Sequence, residues 1–242
     1  MNFVIPMAGR GQRFTDAGYT VPKMLIEAHG KTLLEWSIDS LPLQLCSRLV
    51  CILLEEHEQQ YALSRHISKL YGERMEILFL HLGQVTRGQA ETVLLAQSLV
   101  DRDKDLVVFN IDTYFHSDTL AEKLQRTDVS GVLGAFHSTE PRFSFAVVDE
   151  QTGLVTRTAE KEPISSNALT GLYHFKQPTD FFEAAQHYLE NDIRVNNEFY
   201  IAPMYNYLIE RGRKYIVDNV SEHHILGTPD ELKSFLQRTV SA

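Results

Sequence analysis

Short, nearly unbroken apolar runs alternate with longer polar segments through the first half of the chain. The runs at 3–7, 49–54, 77–80, 106–110 and 129–136 predict strands. The continuous run at 49–54 suits a parallel strand buried on both faces. Between the runs, apolar residues recur at helical spacing. Leu63, Ile67 and Leu70 mark a helix over 55–70, and further helices are predicted over 33–41, 89–99 and 118–124. Thr32 followed by Glu35 is a capping box for the helix at 33. Strands separated by helices imply right-handed crossovers and an α/β fold: a mainly parallel, mixed central sheet with helices on both faces.

The second half has a different rhythm. Two strands, 143–148 and 154–158, flank turn-forming residues at 149–153, and a third strand is predicted over 170–175. Phe181, Phe182, Ala185, Tyr188 and Leu189 form one helical stripe, and Ile201, Met204, Tyr205 and Leu208 form another. Thr228-Pro229-Asp230-Glu231 starts a last helix, with an N-cap, proline at the first position and an acid at the third. No repeat or linker interrupts the chain. A single domain over 1–242 is expected, in two halves, 1–136 and 137–242, the second packed on the first as a small β-rich lid.

Composition narrows the choice of partners. The 242 residues carry a formal net charge of −9, which argues against a nucleic-acid partner. A local phosphate cradle is still compatible with an acidic surface. No apolar run reaches the length of a membrane span, and the N-terminus lacks a secretion-signal pattern, so no membrane association and a cytoplasmic location are expected. Cys46 and Cys51 show no metal spacing and read as buried free thiols. The chain leaves the oligomeric state open, a homo-oligomer included.

Four segments carry candidate chemistry. The run ending at Met7 feeds a loop, Ala8-Gly9-Arg10-Gly11, followed by Arg13 and then Pro22-Lys23. The glycines permit positive φ and close approach of a ligand, and successive N–H groups form an anion-binding concavity. Arg13 and Lys23 supply mobile positive charge. The plainer reading is a tight strand-to-helix turn. The loop is neither a dinucleotide fingerprint, because Phe14 stands at the third glycine position, nor part of a P-loop, because Leu25 stands where the first glycine of one ending at Gly30-Lys31-Thr32 would be. Asp112 follows a strand end, where ligands of open α/β sheets bind, and suits Mg²⁺; a turn-capping role is the alternative. Thr86 and Gly88 open a helix, where Gly88 would admit a flat base. Lys161, after Glu160, and Gly171 could meet a second phosphorylated substrate, although surface Glu-Lys pairs are usually only solvated. His223-His224 lacks a third metal ligand.

These motifs, in this order, resemble the sugar-phosphate nucleotidyltransferases. The signature residues are Gly9, Gly11, Arg13, Pro22 and Lys23. The likeness continues through Pro6–Gly9, Gly18-Tyr19, 25–36, 198–203 and Gly227-Thr228-Pro229, as in the capsule and surface-polysaccharide branch of that family. The resemblance implies a GT-A, Rossmann-like fold and Mg²⁺-dependent transfer of a nucleotide from an NTP to a small phosphorylated acceptor, most simply a sugar 1-phosphate. It assigns Ala8, Gly9, Arg10, Gly11, Thr86 and Gly88 to the nucleotide, Arg13 and Lys23 to catalysis, and Asp112 to the metal. Lys161, Gly171 and Glu198 fall on the acceptor side, so that the resemblance implies a nucleotide-binding half over 1–136 and an acceptor-binding half over 137–242. The acceptor phosphate is already anionic near neutral pH, so no general base is required. One departure stands out: Ile225 occupies the place where sugar-1-phosphate members often carry a second metal-binding Asp, and Asp218 or Glu198 are the candidates to replace it. Three other readings remain at this point. They are a cytidylyltransferase for a non-sugar phosphate such as phosphocholine, a GT-A glycosyltransferase, and a non-catalytic nucleotide-binding protein.

Overall fold

The computed structural model describes residues 1–238. Strand β1 (Asn2–Met7) leads through α1 (Gln12–Asp16) to a small hairpin, β2 (Glu27–Ala28) and β3 (Lys31–Thr32). Next come α2 (Leu33–Asp39), β4 (Arg48–Leu54), α3 (Glu55–Tyr61), α4 (Leu63–Tyr71), β5 (Glu76–Leu82) and α5 (Gln89–Leu95). They are followed by β6 (Leu106–Phe109), β7 (Thr113–His116) and α6 (Leu120–Leu124). Strand β8 (Gly131–His137) closes the first half, and the second half contributes β9 (Ser144–Val148), β10 (Val155–Glu160) and β11 (Asn167–Phe175). It ends with α7 (Pro178–Glu190), α8 (Met204–Ile209), β12 (Tyr215–Asn219), β13 (Glu222–Ile225) and α9 (Pro229–Leu236).

One mixed sheet of nine strands organises the molecule. Strands β5, β4, β1 and β6 run parallel, with β1 between β4 and β6. The chain therefore leaves β1 for β4 on one side and returns to β6 on the other. A crevice opens at such a switch point, outside the carboxyl ends of the strands. Strand β11 pairs antiparallel with β6 and extends the sheet to β9, β10, β8 and β12. The second half thus grows out of the same sheet, and its β9–β10 hairpin and the separate β7–β13 pair stand beside the crevice as the expected lid.

Alternation along β1 explains why helices cover both faces. Phe3 and Ile5 join Leu49, Cys51 and Val107 in a core beneath α2, α4 and α6. Val4 joins Val50, Ile52 and Val108 in a second core beneath α5, α7 and α8. A third cluster, with Phe14, Trp36, Leu226, Leu232 and Phe235, fastens α9 to α2 and to the glycine-loop region.

Several predicted elements change length or number. The expected helix over 55–70 is two helices, because Ala62 turns left-handed at φ 49°. The helix expected over 33–41 ends at Asp39, the one expected over 89–99 ends at Leu95 in a 3-10 turn, and the one expected over 118–124 begins at Leu120. The capping box at Thr32 and Glu35 forms with both of its hydrogen bonds. Strands β2, β3, β7, β12 and β13 were not legible in the apolar pattern. Each is short, and four of them belong to two-stranded pairs outside the main sheet. Cys46 and Cys51 are buried free thiols, and burial pushes the Cys46 pKa up to about 11.

Candidate active site

A cleft of about 850 Å³ lies over the carboxyl ends of β1 and β6. Of the candidate residues, Ala8, Gly9, Gly11, Arg13, Lys23, Thr86, Gly88, Asp112, Lys161, Gly171 and Glu198 all line it. Arg10 does not. Its guanidinium reaches Glu56 at 3.3 Å, with both side chains largely exposed. Any role for Arg10 in nucleotide binding falls to its backbone.

The glycine loop divides its work. Gly11 is left-handed at φ 65°, and a Cβ there would stand 3.3 Å from Lys23 Cβ. Glycine therefore lets the Pro22-Lys23 segment approach the loop. Gly9 does not have positive φ; the space beside it is open, so a ligand could lie against the backbone there. Lys23 Nζ donates to Asp112 Oδ2 at 3.0 Å, although 89 residues separate them. This pair joins the end of the first motif to the residue that follows β6.

Across the cleft, Gly88 answers to a different need from the one its sequence suggested. A Cβ at Gly88, at φ 146°, would stand 2.4 Å from the backbone nitrogen of Phe199. Phe199 N–H donates to Arg87 O, and Ala90 N–H donates to Phe199 O. The missing side chain admits a backbone strap rather than a base. Thr86 is held by hydrogen bonds to Gly88 O and the Thr92 hydroxyl. Gly171, at φ 87°, faces the Asn110 side chain, whose Oδ1 accepts from Gln89 Nε2.

The acceptor-side candidates form a compact polar group. Lys161 has φ 58°, unusual outside glycine, and donates to the Tyr200 hydroxyl. Burial alone would lower the Lys161 pKa, but the Tyr200 hydrogen bond and nearby acids raise it. Burial also raises the Glu160 pKa, against a hydrogen bond donated by Ser144. Phe143, Tyr173 and Tyr200 line the cleft, whereas Phe145 and Tyr205 are core.

Sequence reasoning gave no binding role to Arg142, His223 or Glu231, which also line the cleft. Arg142 pairs with Glu231, and Gly227 N–H donates to Glu231 Oε2 at 3.1 Å. Asp218, a candidate second metal ligand, is excluded by its surroundings. It is fully buried and satisfied by Ser117, Thr119 and Lys123. Ile225 lines the cleft as an apolar group. Asp112 and Glu231 both border Gly227, where a Cβ would stand 3.2 Å from Asp112 Oδ2 and 3.5 Å from Glu231 Oε2. Carboxylate oxygens suit Mg²⁺, which takes one or two of them and completes its shell with phosphate and water. Among the described residues no group of three or more His, Cys, Asp or Glu is placed to hold a metal. No helix of the described residues is long and apolar enough to cross a membrane.

The family model described as "Nucleotidyl transferase" matches residues 3–220. The chain belongs to that family. A nucleoside-diphosphate-sugar pyrophosphorylase from Vibrio cholerae RC9 is 35% identical, with a TM-score of 0.86 over 98% of this chain and 100% of that one. The inositol-1-phosphate CTP transferase from T. maritima shares the fold at 14% identity, with a TM-score of 0.72 over 100% of this chain and 98% of that one. A UDP-glucose pyrophosphorylase complexed with UDP-glucose shares it at 15% identity, with a TM-score of 0.76 over 97% and 96% of the two chains. No curated protein matches the chain. As a nucleotidyltransferase, the protein has its family's motifs on one wall of the cleft and the Lys161–Tyr200 group on another.

Proposed function

We propose that this nucleotidyltransferase condenses an NTP with a sugar 1-phosphate, in a Mg²⁺-dependent reaction that yields a nucleotide sugar and pyrophosphate. The observation that supports the reading is the pair Lys23–Asp112, held at 3.0 Å in the same cleft as Lys161. A phosphate oxygen of the acceptor would attack the α-phosphorus of the NTP. The bond from that phosphorus to the bridging oxygen breaks, and pyrophosphate leaves. No proton needs to move from the nucleophile.

Catalysis then rests on position and charge. The loop at Ala8, Gly9 and Gly11 would hold the triphosphate, with Thr86 and Gly88 bordering the base. Arg13 would neutralise the leaving pyrophosphate and Lys23 the α-phosphate. Lys161 would hold the acceptor phosphate, and Glu160 and Glu198 would accept from acceptor hydroxyls. Asp112, with Glu231 across Gly227, would hold Mg²⁺, which when bound neutralises charge on the phosphates. The hydrogen bond from Lys23 to Asp112 keeps the ammonium in the cleft where the α-phosphate would lie.

The test is pyrophosphate release from each of five NTPs with pooled sugar phosphates or pooled alcohol phosphates, with Mg²⁺ and with EDTA. Release requiring one NTP, the sugar pool and the metal is expected. Release only with the alcohol pool would replace the acceptor in this reading. Sugar transfer from nucleotide sugars without pyrophosphate would replace the reaction.

A further inference from the structure

Strand β13 turns alternate side chains to opposite faces. His224 and Glu222 share one face, where they bond at 2.6 Å and His224 stacks on Tyr114. His223 and Ile225 share the other and line the cleft. The two adjacent histidines therefore cannot grip one metal.

The His223 ring lies flat on Phe136, with centroids 3.7 Å apart and planes 17° apart. Phe136 meets Phe143 edge-on at 5.1 Å, and the Arg142 guanidinium covers Phe143 at 4.7 Å. The stack fixes the imidazole plane before any ligand arrives. Among the described residues, neither ring nitrogen of His223 has a hydrogen-bond partner. Burial, assisted by His224 and Arg142, pushes its pKa down to about 4. At neutral pH the ring is uncharged and offers one donor and one acceptor.

An uncharged ring contributes little to holding phosphate in a cleft already supplied with Arg13, Lys23 and Lys161. It suits a neutral polar group that needs orientation, such as a hydroxyl or amide. We propose that His223 is a specificity-determining residue that hydrogen-bonds a hydroxyl or amide on the body of the acceptor, so that a polyhydroxylated acceptor phosphate is preferred over a phosphorylated amino alcohol. The assignment rests on the acceptor reading given above. It extends the acceptor site from the phosphate end, at Lys161, to the β7–β13 pair.

Calorimetric titration of the full chain with a hexose 1-phosphate, an N-acetylhexosamine 1-phosphate, phosphocholine and the NTP decides it. The proteins are wild type, His223→Phe, His223→Gln and Lys161→Ala, each checked for an unchanged thermal midpoint. His223→Phe keeps the stack and removes both nitrogens. It is expected to weaken sugar-phosphate binding about tenfold, the worth of one or two neutral hydrogen bonds. Phosphocholine and NTP affinities should stay within about twofold. His223→Gln, which again offers a donor and an acceptor, should recover most of the loss. Sugar-phosphate binding by His223→Phe equal to wild type, with Lys161→Ala defective, would overturn the assignment alone. An equal loss for the NTP would overturn it as well. Wild-type protein that binds no sugar phosphate would overturn the acceptor reading and this assignment together.

Discussion

Lys23 and Asp112 show how charge is stored in the cleft. Their side chains are 17% and 32% exposed, so the pair is partly screened and its removal costs little stability. Its proposed value is to catalysis. Lys23→Ala is expected to lower the rate of pyrophosphate release by about 10²–10³. The circular dichroism spectrum should stay native, and near-normal turnover would remove Lys23 from the mechanism. His223 makes a prediction about pH. Its folded pKa lies below the value of 6.5 for a free imidazole, so the unfolded chain takes up the proton first as pH falls. The stability that neutral His223 contributes is therefore present above about 6.5 and is lost as pH falls through about 4. Thermal midpoints recorded from pH 7 to pH 4 should drop less for His223→Phe than for wild type. Parallel curves would show that the imidazole titrates as if free.

At the scale of elements, the clearest coupling is between the turn at Gly88 and the strap at Phe199. The α5 entry and the second half meet there through backbone hydrogen bonds, and the two guanidiniums of Arg87 and Arg194 lie 5.1 and 4.7 Å from the Phe199 ring. Gly88→Ala forces a Cβ into the Phe199 backbone. A stability loss of about 2–4 kcal/mol is expected, together with weaker binding of both substrates. Denaturant titration and separate affinities for NTP and acceptor check it, and a silent substitution would show that the strap moves freely. The cap at Thr32 is a smaller and local matter. Thr32→Ala should cost about 1 kcal/mol, because it frees the Glu35 amide, and should leave substrate binding unchanged. Elements with strong local signals were legible: β1, β4, β6, α7 and the cap of α9 stand close to where the apolar pattern and the turn residues put them. The β7–β13 pair was not. Each of its strands is four residues long, and their pairing joins segments about a hundred residues apart, which no local periodicity encodes.

At the scale of the whole molecule, the two halves share one sheet. Strand β11 pairs with β6 and β8 from the first half and with β9 from the second. A fragment of residues 1–136 would expose the β6 edge and the Val107–Phe109 face. It is expected not to fold alone, and the full chain should unfold in one cooperative transition. Coincident fluorescence and circular dichroism transitions would support this, whereas a folded fragment would show that the halves are separable.

The residues by themselves determined the α/β class, the glycine loop with Arg13 and Lys23, and the strand-end position of Asp112. Those features are written in short-range patterns: apolar continuity, glycine spacing and capping residues act over a few neighbours in the chain. Tertiary structure decided which distant groups meet. It paired Lys23 with Asp112, buried Asp218 away from the cleft, set Glu231 beside Gly227, and filled the space at Gly88 with Phe199. It also laid His223 on Phe136 and turned His224 away. Contacts of this kind depend on how a long chain returns to the carboxyl end of one sheet, and that path is set by the packing of both faces together.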